Sequence, residues 1–297
     1  MFGDTLARIG RSFWPLLCLA TLLLGVACRG SSPLADLERA RSLTAELRLQ
    51  LDRVDKASSQ AVMADTDEAS IAFAKEAQQA TTVVTSDIGA LGPLLEGLRF
   101  TKELDALAAF RATWSKYQKL DQDILALAVE NTNLKAQRLS FGPARQSADA
   151  FRDAVTSLAG GVSAKDRCGA SELAQKAIVA VREIQVLQAP HIAEADDQVM
   201  TQLEQDMAAL DQKARDSVKA LSELAGAPGG PGGATAMASL DRFKDISGQI
   251  VGLSRRNTNV RSLVLSLREQ PILAAACDDI LRTLQQALDR EGSTATR

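Results

Sequence analysis

Residues 124–141 read ILALAVENTNLKAQRLSF, and residues 250–267 read IVGLSRRNTNVRSLVLSL. Seven of the eighteen positions are identical, including the whole Asn131-Thr132-Asn133 and Asn257-Thr258-Asn259 turns. On both sides of each turn, apolar residues recur every three or four positions, which is the helical period. Asparagine favours helix caps, so each copy reads as the end of one helix, a turn and the start of the next. Upstream, Ala64-Asp65-Thr66-Asp67 lines up with Ala193-Glu194-Ala195-Asp196 at nearly the same spacing. Two matches in the same order indicate one internal duplication.

The stripes extend outward from these turns. In the first copy they run through Leu37, Ala40, Leu47, Leu51, Val54 and Ala61, then through Ile71, Ala74, Ala77, Val84, Ile88, Leu91 and Leu95. Between them, Asp65 with Glu68 resembles a capping box. Thr101 is the expected cap of a third helix carrying Leu107, Phe110, Trp114, Tyr117 and Ile124. A fourth passes Gly142-Pro143, continues through Phe151 and Val155, and stops at Gly160-Gly161. The second copy repeats the plan with Leu173 to Leu187, Met200 to Leu224, Leu240 to Leu253 and Leu263 to Leu288, interrupted by the flexible run GAPGGPGG at 226–233. The expected fold is all-α: two tandem up-down-up-down four-helix bundles of long antiparallel, coiled-coil-like helices. Their expected bounds are 34–161 and 162–292, followed by a disordered tail at 293–297.

The first 27 residues read as a leader. Arg8 and Arg11 precede an apolar run from Phe13 to Ala27. Fifteen helical residues span about 22 Å, short of the ~30 Å hydrocarbon core, so the run suits a signal peptide better than a membrane span. It ends Leu24-Gly25-Val26-Ala27-Cys28, which resembles the lipobox of bacterial lipoproteins, with Gly25 standing where leucine is usual. The resemblance implies cleavage before Cys28, acylation of its thiol (palmitate among the chains) and a lipidated tether over 28–33. Arg29, where an aspartate would favour inner-membrane retention, leans toward the outer membrane.

The first bundle also resembles the four-helix ligand-binding domain of methyl-accepting chemotaxis receptors. The likeness lies in Leu47, Leu51 and Val54 of the long first helix, the Trp114-x-x-Tyr117 pair, the ILALAVENTN ending and the Gly142-Pro143-Ala144 approach to the fourth helix. Such receptors carry a second transmembrane helix, a HAMP linker and a cytoplasmic rod, none of which is read here. Their ligand-contacting arginines have no matching positions. The resemblance implies a periplasmic sensing or interaction module without signalling output of its own.

Candidate chemistry is sparse. The chain has one histidine, His191, one tyrosine and a net charge of −3. Di-iron, zinc and serine-triad sites therefore lack ligands or bases, and no basic cluster points to nucleic acid. No cofactor is expected. His191, after Pro190, reads as an exposed turn residue. Phe110, Trp114 and Tyr117 share a helix face that serves either as a ligand platform or as core. An oxidising envelope invites a Cys168–Cys277 disulfide. Helix register opposes it, setting the two about 12 Å apart in height, and Gly169 leaves the phase open. The expectation is a non-catalytic, lipid-anchored module that senses, binds a small ligand or docks an envelope protein. The rivals are a structural spacer and a membrane-active helical protein.

Overall fold

The computed structural model describes residues 32–226 and 230–295. The expected leader and the lipidated Cys28 lie outside the described residues. The helices are α1 (Pro33–Met63), α2 (Asp67–Leu98), α3 (Thr101–Glu130), α4 (Thr132–Leu139), a π-helical turn (Ser140–Ala144), α5 (Arg145–Gly160), α6 (Arg167–Ala193), α7 (Asp197–Leu224), α8 (Pro231–Arg256), α9 (Thr258–Arg268) and α10 (Gln270–Ala295). The fold is all-α, as the periodicity requires. Among the described residues no helix is long and apolar enough to cross a membrane. Helix α10 runs to Ala295, into the first residues of the stretch expected to be a disordered tail at 293–297.

Local chemistry accounts for several boundaries. Thr66 caps α2, its hydroxyl accepting the Ala69 N–H at 3.1 Å, so the cap falls one residue after the expected Asp65. Asp196 caps α7, accepting from the N–H groups of Gln198 and Val199. Helix α2 ends with Arg99 in the left-handed region (φ 60°) and the Phe100 N–H on the Leu95 carbonyl at 3.0 Å, which satisfies carbonyls that the helix leaves open. Pro143 cannot donate to the helical ladder, and the chain accommodates it with the π turn, where one extra residue is looped into the spiral.

The helices sort into bundles in a way that helix order alone does not dictate. One core joins Leu47, Leu51 and Val54 of α1 and Leu91 and Leu95 of α2 to Phe110, Trp114 and Tyr117 of α3. Its fourth wall is Cys277, Leu281, Leu284 and Leu288 of α10. The other core joins Phe151 and Val155 of α5 to Ala177 and Ile184 of α6, Val218 and Leu221 of α7, and Leu240 and Phe243 of α8. The expected division into 34–161 and 162–292 is therefore corrected. Each copy of the duplication keeps three helices and gives its fourth to the other bundle. The stripes of α5 and α10 are equally apolar, so both covers are chemically adequate. What selects the exchange is the path of α3 into α4–α5 and of α8 into α9–α10, two antiparallel spines that each run from one bundle into the other.

The spines meet at the two Asn-Thr-Asn turns. The Thr132 N–H donates to Thr258 Oγ1 at 3.1 Å, and the Thr258 N–H to Thr132 Oγ1 at 3.1 Å. The Asn133 N–H donates to Asn259 Oδ1 at 3.1 Å, and the Asn259 N–H to Asn133 Oδ1 at 3.2 Å. Asn133 Nδ2 reaches Asn257 Oδ1, and Asn259 Nδ2 reaches Asn131 Oδ1, both at 2.8 Å. The pattern has a local two-fold axis between the threonines. It also answers a need: the first N–H groups of a helix have no partner within it, and α4 and α9 each supply the caps of the other. Asn131 (φ 51°) and Asn257 (φ 52°) take the left-handed bend that starts each new helix, a conformation asparagine tolerates better than most residues.

Candidate functional site

The aromatic face lies inside the first bundle. Phe110 and Tyr117 are fully buried and Trp114 nearly so. Phe110 and Trp114 stack at 6.3 Å between ring centroids, and Trp114 and Tyr117 at 5.3 Å. The three fill the space between α1, α2 and α10 and leave no platform for a ligand. Cys168 and Cys277 are both free, the first exposed and the second buried. They do not form the disulfide weighed above: Cys277 belongs to the first bundle through α10, while Cys168 opens α6 in the second.

Beside the aromatic stack lies a buried polar cluster that the sequence does not advertise. Ser58 donates to Asp121, and Gln270 Nε2 donates to Tyr117 Oη at 3.1 Å and to Asp121 at 3.2 Å. Tyr117 donates to Asp55 at 3.3 Å. Burial pushes the Asp121 carboxyl up to about 6, against the hydrogen bond from Ser58, and burial likewise raises Asp55. This cluster ties α1 and α3 to α10.

His191 is fully buried, contrary to its reading as an exposed turn residue, because α6 continues through Pro190 to Ala193. Its Nδ1 lies 2.8 Å from Ser254 Oγ and its Nε2 2.9 Å from Glu204 Oε1. Ser254 is itself fully buried and its hydroxyl donates to the His191 carbonyl at 2.7 Å. The trio pins α6, α7 and α8 together. Glu204 also accepts from Arg255 Nε at 2.6 Å, and the Arg255 guanidinium first, then His191, hold its carboxyl below the usual range.

Glu204 leads into a groove of about 670 Å³ in the second bundle, between α7 and α8 over α6. Its floor is apolar, made by Ile184, Met207, Phe243 and Val251, and its rim carries Glu204, Asp211, Gln212, Lys244 and Asp245. Asp211 is held by Arg215 at 2.9 Å and Lys244 at 3.3 Å through Oδ2, while its Oδ1 is buried with no partner. Gly248 of α8 faces the groove, and no atom lies within 4 Å of where its Cβ would stand. Ser247, also on the wall, accepts from Gln188 Nε2 at 3.0 Å, and Gln188 Oε1 accepts from Ser140 of the π turn at 2.7 Å. The floor residues Phe243 and Val251 flank the second spine, so the groove is tied to both spines.

None of the groove residues was singled out as a site from sequence. Met207 and Phe243 read as core, and Gly248 carries no signal by itself. The available hint was a mid-helix glycine where alanine would make a better helix.

No protein-family model matches the chain, and no curated protein matches it. Among solved structures, a chain from the crystal structure of the TorS sensor domain–TorT complex in the presence of TMAO matches at 12% identity and a TM-score of 0.35. The match covers 87% of this chain and 100% of that one. A likeness of that degree transfers neither site nor function.

Proposed function

We propose that this protein is a non-catalytic, lipid-anchored module of the bacterial envelope that binds a small ligand in the groove between α7 and α8. The observation that carries the reading is the build of the α7–α8 groove. It measures about 670 Å³, with apolar residues along its base and charged residues on its rim. Small-molecule sites have this build and a size of about 300–1,000 Å³. Ligand binding there would act on helices that the spines connect to the first bundle. The anchor rests on the lipobox-like Leu24-to-Cys28 sequence, which also supports a periplasm-facing module.

Two experiments test this. A chemically broad panel of metabolites is screened by thermal shift against the parent protein and Ala208→Trp, a change at an exposed position of the groove wall. Compounds that stabilise the parent and not the variant support the site. A panel with no such compound removes the ligand-binding reading and leaves the structural spacer. Separately, labelled palmitate should enter the parent and not Cys28→Ser, and equal labelling of the two would refute the anchor.

A further inference from the structure

We propose that Asp121 works a proton-operated latch on the joint between α9 and α10: protonated, its carboxyl locks Gln270 against α1 and α3, and ionised, it lets the joint open. The joint is a weak point of the backbone. Helix α9 ends at Arg268 and α10 begins at Gln270. Pro271 has no N–H to give to the helical ladder. The bond across the joint from the Leu273 N–H to the Glu269 carbonyl is long, at 3.5 Å. Side chains must help to hold the joint closed, and the buried Gln270 reaches into the first bundle to do so.

The cluster around Gln270 is one hydrogen short. Ser58 and Tyr117 each own one donor hydrogen, and Gln270 Nε2 owns two. Ser58 gives its hydrogen to Asp121 and Tyr117 to Asp55, while Gln270 gives its pair to Tyr117 and Asp121. All are spent, yet Gln270 Oε1 is buried without a donor, which is costly. Among the described residues no cation acts on Asp55 or Asp121. A proton on Asp121 is the missing hydrogen. A carboxylic acid beside a primary amide exchanges two bonds with it, N–H to carboxyl oxygen and O–H to amide oxygen. The first stands at 3.2 Å, from Gln270 Nε2 to Asp121 Oδ1, and the acid O–H supplies the second. The charges around the cluster agree with this. Asp55 faces Asp121 from α1 and Tyr117 faces it from α3, while α10 brings the neutral Gln270. Glu76 of α2 is drawn to Arg53, and Arg268 and Glu269 at the joint are exposed. Burial first, then the negative Asp55, favours the protonated form, which is held below about pH 6 and lost as pH climbs through it. In an opened joint, water restores the ordinary acidity, so the proton favours closure.

Native-state hydrogen exchange of the full chain, read by mass spectrometry and corrected for the intrinsic rate, follows the latch directly. Amides across 266–276 should exchange through a local opening. Their rate should therefore rise little with dilute urea, since a small opening exposes little surface. Between pH 5 and pH 7.5 their protection should fall about tenfold, the effect of removing one proton from a group that holds it at about 6. Asp121→Asn sets an amide N–H where the acid O–H stood, so protection should stay high at both pH values. Three results would each overturn the latch. The first is equal protection of the parent at pH 5 and pH 7.5, which means that Gln270 Oε1 needs no proton from Asp121. The second is exchange across the joint that climbs with urea as steeply as in the core of α7, which reports unfolding of the whole protein. The third is a pH dependence that survives Asp121→Asn, which hands the proton to Asp55.

Discussion

Asp121 shows how one buried carboxyl can govern the response of the whole protein to pH. Its carboxyl stands at about 6 in the fold, mainly through burial, against an ordinary value of 3.8. A raised acid binds its proton more tightly folded than unfolded, so its contribution is fullest below pH 4 and is lost as pH climbs through 6. The shift is on the order of 2–3 kcal/mol. Asp121→Asn, which keeps an acceptor for Ser58 and Gln270, should stabilise the protein by about 1–2 kcal/mol at pH 7.5, with the gain fading toward pH 4. Urea midpoints for both proteins across this range check it, and a gain independent of pH would count against the argument. The free cysteines give a second residue-level expectation. Cys168 is exposed, while burial alone pushes the Cys277 thiol up to about 12. Of these two, a maleimide should label only Cys168 in native protein and both after unfolding in urea. At this scale the sequence was a partial guide. It set Cys277 on a core stripe and Phe110, Trp114 and Tyr117 on one face, but Asp121 sits between Lys119 and Asp123, where a carboxylate looks like ordinary surface.

At the scale of the element, the reciprocal caps between α4 and α9 can be measured as a coupling. Thr132→Val removes the acceptor of the buried Thr258 N–H, and Thr258→Val does the converse. Each should cost about 1–3 kcal/mol, the penalty for a buried donor left open. Because the two changes damage one shared arrangement, the double variant should fall short of their sum by at least about 0.5 kcal/mol. Equipment for this is a set of four urea unfolding curves, and strict additivity would mean that the turns do not act together. The turns were legible as turns, since Asn-Thr-Asn repeats within matching helical stripes. Their contact with each other was not, because nothing in a cap motif says that its donors are met by a second copy rather than by its own side chain. His191 was misread for a related reason: Pro190 marks a helix end in most settings, yet here it lies within the last turn of α6.

For the whole molecule, the exchange of fourth helices means that neither bundle is built from one continuous half of the chain. Heating should therefore give a single calorimetric transition for the protein, where bundles at 34–161 and 162–292 would give two. Most helix spans and their apolar faces could be read from periodicity. The pairing could not, because Phe151 and Val155 of α5 present the same kind of surface as Leu281 and Leu284 of α10, and hydrophobic period does not name a partner. The groove was hidden for the opposite reason, since it is made by small residues at Ala208 and Gly248 and so by an absence of side chain. The exchange also bears on how the chain is born. Helices α1, α2 and α3 leave the ribosome first, yet the core of Leu47, Phe110 and Trp114 receives its fourth wall from α10, the last helix to be made. Until synthesis is nearly complete, the nascent chain has a greasy flank whose native cover is still unmade.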